Sequence, residues 1–410
     1  MKTIKELKNK TSMFLDIKSS KDKDSSSSPA SSASSTPKYK SNSNSRANSS
    51  DNLNNTNTSI NNSTGSSPLC GADILKKNEK PKTLQYLPSN INNLVWERAT
   101  SVEKISYGEN THFLVVTFQP NPLVEEYFQV LLKSSTSIGQ EVYVSILESI
   151  LKFPIPEMRL LEFSDEEYQE MSKSLTFLSD QNSNLNSFIK KELKKSFFLV
   201  MEYNPDGKTL KELNYKEYFT GTSGDKKLIQ LGQIIAFDMF CNNWDRFPLI
   251  WDNNGNFSNI LFYEQPIKNG WYFSLIDSNI SCINNSSFTV GYHRYINRLK
   301  SLLYSIFKNP NMESNQVKKL RELICKTFEI NLNESSGVLL QKGILQGVQL
   351  IVNTITLNIL KDTKEKLQHL VKCDTDNIWK KSIDSIYLPF LMDVLDKFDE
   401  FESSNHNNKK

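Results

Sequence analysis

Four polar residues in the second half of the chain have the types and order that phosphoryl transfer requires. An apolar run leads to Asp245, Asn256 and Asn259 begin the next apolar segment, and Asp277 ends the one after it. In such an arrangement one carboxylate accepts or orients the proton of a substrate hydroxyl, while an asparagine oxygen and the second carboxylate hold Mg²⁺ against phosphates. Either aspartate alone would be better explained by a turn, where Asp is common, so the hypothesis depends on finding them together.

Short β-rich segments, followed by helices, would have to position these residues. Alternating β-branched and aromatic residues predict strands, and apolar residues at helical spacing predict helices. Strands are predicted at 93–100, 112–118, 126–133, 158–163 and 197–203, and helices at 137–152, 225–243 and in several segments from 287 to 401. The polar insert 164–195 predicts helical turns, and 337–360, apolar nearly all round, predicts a buried core helix. This succession indicates an α+β fold with two lobes.

The first 84 residues differ in composition from the rest. Residues 20–66 are almost entirely Ser, Asn, Lys, Asp, Thr and Ala, so they offer too little apolar surface to offset the entropy of ordering the chain. Residues 1–84 carry 14 basic against 7 acidic side chains, whereas the remainder carries 35 against 39. We expect a disordered basic arm over 1–84 that either remains free or transiently touches an acidic surface. Its few aromatic residues argue against nucleic-acid binding.

Cysteine spacing and hydropathy indicate where the protein resides. The five cysteines are widely spaced and form no C-x-x-C pair, which predicts free thiols in a reducing compartment. No 18 apolar residues run together, and the N-terminus lacks the apolar stretch of a secretory signal. We therefore expect a cytoplasmic protein without a transmembrane segment.

Four segments resemble the actin-fragmin kinases, an atypical branch of the protein-kinase-like fold. These segments are 130–141, 200–210, 232–261 and 275–277. The most specific part is Asn-Asn-Trp-Asp-Arg, together with the Asn-Ile-Leu that follows it. The resemblance covers about residues 92–400 and implies a serine/threonine-type protein kinase that uses ATP and Mg²⁺.

The same resemblance divides the chain into lobes. It implies a β-rich N-lobe over 85–204 and a mainly helical C-lobe over 205–402. A disordered tail is then expected at 403–410.

Several side chains acquire roles from this resemblance. Lys133 would neutralise the α- and β-phosphates, and Glu141 would be its ion-pair partner, although the residues alone would suggest two solvated positions. Asp245 would be the catalytic base. The hinge, where backbone groups would bind adenine, falls on Met201, Glu202 and Tyr203. The metal ligands would be Asn259 and Asp277, with Asn256 as the alternative to Asn259.

Two departures from the family pattern keep a second hypothesis open. The turn expected to cover the phosphates has a single glycine, Gly108, so a close approach of backbone to phosphate is less assured. Asp277 is followed by Ser278 rather than by Phe-Gly. The alternative to an active kinase is a pseudokinase or scaffold that binds partners without catalysis. As a kinase, the protein would act on a protein substrate, with actin or a complex of actin with a capping protein the first to test.

Overall fold

A computed structural model describes residues 85–86, 89–107, 111–124, 126–204, 206–209, 212–251, 253, 255–284 and 290–407 of the chain. The predicted basic arm over 1–84 lies outside these residues, and so does Gly108. Both therefore stay predictions from sequence.

An antiparallel sheet forms the first half of the described chain. Its strands are β1 (Gln85–Tyr86), β2 (Ala99–Tyr107), β3 (Thr111–Phe118), β4 (Glu126–Lys133), β5 (Met158–Glu162) and β6 (Phe197–Glu202). The order across the sheet is β2-β3-β4-β6-β5, and β1 alone pairs in parallel, with β4. Strand β4 therefore lies at the centre, and its last residue pairs with Leu199 of β6.

Both faces of the sheet are buried over strands β3 to β6, which explains why these strands are largely apolar, whereas the edge strand β2 exposes Glu103 and Lys104. Along β3, Phe113 and Val115 belong to the larger core, whereas Leu114 and Val116 belong to a second, smaller core on the opposite face. The larger core includes helix α1 (Ile138–Ile150), which follows β4. The smaller core is covered by α2 (Glu166–Ser179) and α3 (Ser183–Glu192).

Most of the predicted elements are present, but the strand predicted at 93–100 is wrong over its first six residues. Residues Trp96–Arg98 form a turn of 3-10 helix, and β2 begins only at Ala99. Trp96 is buried in the smaller core, and its indole N–H donates to Glu167 Oε1 at 3.0 Å. The tryptophan therefore turns inward at the edge of the sheet, and the polar insert forms two full helices rather than isolated turns.

The second half of the chain is helical apart from one hairpin. Its helices are α4 (Tyr215–Tyr218), α5 (Gly221–Cys241), α6 (Val290–Lys308), α7 (Asn315–Phe328), α8 (Glu334–Thr354), α9 (Leu357–Gln368), α10 (Ile378–Asp384) and α11 (Leu388–Asn407). The hairpin pairs β7 (Ile260–Phe262) with β8 (Phe273–Leu275). Helices α5 and α8 are the longest, at 21 residues each, and they cross in the centre of this half.

The prediction of one continuous helix over 337–360 is wrong. Helices α8 and α9 meet at an angle of 75°, because Ile355 adopts an extended conformation and Thr356 caps the new helix by accepting the N–H of Ile359. Both sides of the break are apolar, so hydrophobic periodicity gives no sign of it. Among the described residues no single helix is long and apolar enough to cross a membrane, although this bent pair meets the length and composition test together.

The C-terminal boundary also differs from the prediction. Helix α11 continues to Asn407, so residues 403–407 extend the helix instead of beginning a tail. The ring of Phe401 stacks on Phe307 at 5.8 Å, which fixes the last packed turn. Further residues can then be added at little cost, because each extra helical residue forms one more backbone hydrogen bond.

The crossing of α5 and α8 requires glycine. A Cβ at Gly232 would lie 2.2 Å from the carbonyl oxygen of Leu340 and 2.7 Å from Gly343 Cα, so the two backbones touch. We expect Gly232→Ala to lower the free energy of unfolding by about 2–3 kcal/mol through overpacking. The control is Gly291→Ala in α6. A Cβ added there would meet no described atom within 4 Å, apart from its chain neighbours and its own helix backbone, so stability should be unchanged or rise by up to about 1 kcal/mol. Chemical denaturation measures both; similar values for the two variants would contradict the close crossing.

Candidate active site

A buried lysine at the end of the central strand joins three separate elements. Lys133 ends β4, and its ammonium lies 2.6 Å from Oε1 of Glu141 in the first turn of α1. It also forms an ion pair with Asp277, which follows the hairpin. Lys133 and Glu141 are both buried, contrary to the exposed positions that the residues alone suggest. The predicted lysine, its glutamate and the second aspartate are thus in direct contact.

The charges of this cluster stabilise one another. Burial by itself would lower the pKa of Lys133, but the carboxylates of Glu141 and Asp277 outweigh it, so the pKa is raised. Burial raises the pKa of Glu141, and Lys133 opposes that rise. Removing the lysine would leave two carboxylates facing each other in a buried space, which is strongly unfavourable.

The hairpin brings Asp277 back to the sheet. Strand β8 ends at Leu275, and the N–H of Ile276 donates to the carbonyl oxygen of Asn259 at 3.2 Å. Asp277 then adopts a left-handed backbone conformation, with φ of 53°. Aspartate tolerates this region better than most residues. The turn directs its carboxylate to Lys133 and away from the strand direction.

Asp245 is held by the two asparagines that the sequence singles out. The side-chain amide of Asn259 donates to Asp245 Oδ2 at 2.7 Å, and the backbone N–H of Asn256 donates to the Asp245 carbonyl oxygen at 2.5 Å. Partial burial raises the pKa of Asp245, while the hydrogen bond from Asn259 opposes the rise. The carboxylate is therefore fixed in place, and its proton affinity is above the ordinary value.

The two asparagines differ in what their oxygens do. Oδ1 of Asn256 accepts the N–H of Ser258 and so caps a short turn of 3-10 helix. Oδ1 of Asn259 accepts only the side-chain amide of Asn256, at 3.1 Å, among its recorded bonds within the described residues. Since an amide oxygen has two lone pairs, Asn259 keeps capacity for a further ligand.

A cavity of about 240 Å³ unites most of these side chains. Four residues predicted for the site line it: Lys133, Glu141, Asp245 and Asp277. Asn259 is not part of the lining, but it donates to Asp245, which is. Residues that sequence reasoning missed complete the wall: His112, Ser134, Ser135, Ser137 and Asn279. The run of hydroxyl side chains directly after Lys133 in the sequence was the signal that could have revealed three of them.

The predicted hinge residues lie apart from this cavity. Met201 and Glu202 belong to β6, and the N–H of Glu202 donates to the carbonyl oxygen of Glu157 at 2.8 Å. The Ser89 hydroxyl bonds both backbone groups of Tyr203: it accepts the N–H at 3.0 Å and donates to the carbonyl oxygen at 2.8 Å. None of the three predicted hinge residues is among the residues that line the described cavity. The backbone of Tyr203 can reach adenine only if Ser89 is displaced.

The donor set suits Mg²⁺ bound together with phosphates. Within the described ranges, no three His, Cys, Asp or Glu side chains gather into a metal site of their own. Mg²⁺ is commonly held by one or two carboxylates plus substrate phosphates rather than by a complete protein cage. Asp277 on the cavity wall offers a ligand of that kind. Asn259 is fully buried behind Asp245, so its oxygen can reach a metal in the cavity only if these side chains rearrange.

A second charged cluster, fully buried, lies next to the site; a pairing of Arg246 with acidic groups is one of two alternatives from the sequence, but its partners were missed. Arg246 bonds Asp238 of α5 at 2.6 Å through Nη1 and the hydroxyl of Ser278 at 2.7 Å through Nη2. Ser278 in turn donates to Oε1 of Glu148 in α1 at 2.5 Å. The residues that follow Asp245 and Asp277 are thereby tied to each other and to α1. This cluster therefore holds the backbone next to Asp245 and next to Asp277 in place.

Comparison with known proteins identifies relatives of the chain. Residues 75–348, about two thirds of its length, match the family described as actin-fragmin kinase, catalytic. Three proteins of Dictyostelium discoideum, each provisionally named an actin-fragmin kinase, are similar. One is 61% identical over 316 residues, covering 76% of this chain and 74% of the relative. The others are 48% identical over 364 and 336 residues, covering 78% and 82% of this chain and 83% and 81% of the relatives.

Buried Glu148 makes the stability of the protein depend on pH. Burial raises the pKa of Glu148 from 4.5 to about 7, so the folded protein keeps a proton that the unfolded chain releases. The retained proton stabilises the folded protein relative to higher pH. This stabilisation is fully present below about pH 4.5 and is lost as pH rises through 7, and the free energy of unfolding falls by up to about 3 kcal/mol over that range. Glu148→Gln stays neutral and keeps an oxygen for Ser278, so its free energy of unfolding should fall less steeply over this pH range.

Chemical unfolding at several pH values measures this slope. Glu365→Gln, at an exposed position of α9, serves as the control and should keep the wild-type slope. A Glu148→Gln slope equal to that of the wild type would contradict the burial of this carboxyl group.

Proposed function

The chain belongs to the actin-fragmin kinase family, and from that premise we propose that it is an ATP-dependent protein kinase. It transfers the γ-phosphate of ATP to a serine or threonine hydroxyl of a protein substrate. We propose with it that the fold is the two-lobed protein-kinase-like one. An antiparallel sheet carrying Lys133, with α1 against one face, precedes a helical half that supplies Asp245 and Asp277.

One observation carries the proposal. Asp277 is 144 residues from Lys133, yet it forms a single ion cluster with Lys133 and Glu141 on the wall of a cavity that Asp245 also lines. The cation is positioned for an anionic ligand, because an ammonium group has three donors and can bond a phosphate oxygen while keeping Glu141. Charged groups that perturb one another's pKa values inside a cleft are typical of functional sites. The arrangement therefore favours nucleotide chemistry over a purely structural role.

The chain's own residues divide the work of the reaction. Lys133, held by Glu141, binds and orients the phosphates of ATP. Asp277 and Asn259 would hold Mg²⁺, and a bound Mg²⁺ would supply positive charge to offset the negative charge of the phosphates. The amide of Asn259 keeps Asp245 in place at 2.7 Å.

Asp245 acts on the acceptor hydroxyl. The oxygen of that hydroxyl forms a bond to the γ-phosphorus, the bond from the γ-phosphorus to the bridging oxygen of ADP breaks, and the hydroxyl proton passes to Asp245 Oδ1 or Oδ2. The raised pKa of Asp245 suits this step, because a base with greater proton affinity accepts the proton more readily.

The proposed protein substrate is actin. The family description and the names of the relatives point to actin, alone or in complex with fragmin, as the first substrate to test. We include the hydroxyl type, serine or threonine, in the same test, because mass mapping of the phosphorylated protein identifies the acceptor residue directly.

Asp245→Asn should abolish most of the kinase activity. Asparagine keeps the shape of the side chain and an oxygen for the amide of Asn259, but it cannot accept the proton. We expect kcat for phosphorylation of actin to fall by about 10²–10⁴-fold, with a thermal unfolding midpoint close to that of the wild type. Asp362→Asn, at an exposed position of α9, is the matched control and should keep full activity. Wild-type kcat in Asp245→Asn would refute the assignment of the base.

Binding of Mg·ATP distinguishes a kinase from a scaffold that does not bind nucleotide. A ligand that binds only the folded state stabilises it by about 2.7 kcal/mol at a hundred times its Kd, so the wild type should melt at a higher temperature in Mg·ATP. For the wild type, Mg·ATP should raise the melting temperature more than ATP with EDTA does. In Asp277→Asn this difference between the two conditions should disappear, because a metal ligand is lost. Asp225→Asn, exposed on α5, should behave as the wild type. No shift for the wild type at millimolar Mg·ATP would favour the scaffold.

A further inference from the structure

One exposed tryptophan stands directly beside the proposed catalytic base. Trp244 precedes Asp245 and is 49% exposed. Three of the other tryptophans use their indole N–H inside the protein: Trp96 donates to Glu167, Trp251 to Asn242 and Trp379 to the carbonyl oxygen of Leu367. For the Trp244 ring, no hydrogen bond or aromatic contact is recorded with any residue that the structure describes. Trp244 is therefore a large apolar side chain, half exposed, on the residue that directly precedes Asp245.

The loop that carries Trp244 is held on several sides. Asn242 has a left-handed backbone, with φ of 49°, and its side chain donates to Ser281 and accepts from Trp251. Asn243 is buried and donates to Asp238 at 2.9 Å. The Trp244 carbonyl oxygen accepts the side-chain amide of Asn253 at 2.5 Å. The exposed indole is therefore presented by a fixed backbone, which reduces the entropy lost when it binds a partner.

A protein substrate that approaches Asp245 also comes close to residue 244. To give up its proton, an acceptor hydroxyl must come within about 3 Å of the Asp245 carboxylate. The main chain of a protein substrate then lies only a few ångströms further away, while the Cα atoms of residues 244 and 245 are about 3.8 Å apart. A polypeptide that reaches the base therefore passes beside residue 244.

We propose that Trp244 binds the substrate polypeptide next to the acceptor residue and selects an apolar side chain there. This inference rests on the proposed kinase function and specifies how that same site recognises its substrate. Tryptophan is enriched among residues that contribute most to binding, because it buries a large apolar area. The segment 242–251 contains only one basic residue, Arg246, which is fully buried. An anionic membrane surface would instead be matched by exposed Lys or Arg.

The test is phosphorylation of a positional peptide library with serine or threonine as acceptor, and of actin, by purified full-length protein. For the wild type we expect a preference for an apolar residue close to the acceptor. Trp244→Ala should lose this preference, and its KM for the preferred peptide should rise about tenfold, equivalent to 1.4 kcal/mol. Its KM for Mg·ATP should change far less, because the contact is made with the peptide. Trp244→Phe should restore part of the preference.

Phe177→Ala is the matched control, since Phe177 is an aromatic residue of α2 that is 81% exposed. It should keep both the preference and the KM of the wild type. Equal peptide KM values for wild type and Trp244→Ala would overturn the inference while leaving the kinase function standing. Failure of the wild type to phosphorylate any polypeptide would contradict the proposed function as well. Phosphorylation of phosphatidylinositol vesicles that falls in Trp244→Ala, with peptide phosphorylation unchanged, would overturn the assignment to a polypeptide.

Discussion

The positive charge of Lys133, buried at the end of the central strand, is the constraint on which the site depends. A lysine withdrawn from water is unfavourable unless anionic partners surround it. One partner, Glu141, comes from α1, and the other, Asp277, comes from the hairpin of the helical half. The sheet, α1 and the hairpin must therefore be placed correctly with respect to one another before the charge is compensated. The same three elements, together with the loop that carries Asp245, then form the wall of the cavity.

A second buried ion cluster extends this constraint to the loop that carries Asp245. Arg246 is fully buried and contacts Asp238 of α5, while Ser278 links it to Glu148 of α1. Helix α1 thus touches the site twice, through Glu141 at the cavity and through Glu148 two turns further along. Removing one member of such a cluster leaves another charge or hydroxyl group buried without its partner, which costs more than the bond itself. The geometry around Asp245 is therefore coupled to the packing of the whole molecule.

The strands around Lys133 could be predicted because strand composition is a local signal. Residues 245, 259 and 277 could be singled out because each stands at the end or the start of an apolar segment. The sequence did not predict Glu148, since one glutamate in an apolar helix looks the same whether it is solvated or bonded to a distant serine. The break between α8 and α9 escaped detection for a similar reason: apolar residues lie on both sides of Thr356, and only tertiary packing separates one helix from two. The Ser89 hydroxyl on the Tyr203 backbone is likewise a long-range contact, 114 residues apart.

The central claim is that residues distant along the chain form one site for a nucleotide and its metal. A crystal structure of the protein with Mg²⁺ and a non-hydrolysable ATP analogue tests it most directly. We predict the phosphates in the cavity beside Lys133, with a metal ion about 2.0–2.1 Å from oxygens of Asp277 and Asn259. The Glu141 pair with Lys133 should persist, and Asp245 should face the γ-phosphate. A nucleotide bound elsewhere, or a metal ion coordinated without Asp277, would contradict the account.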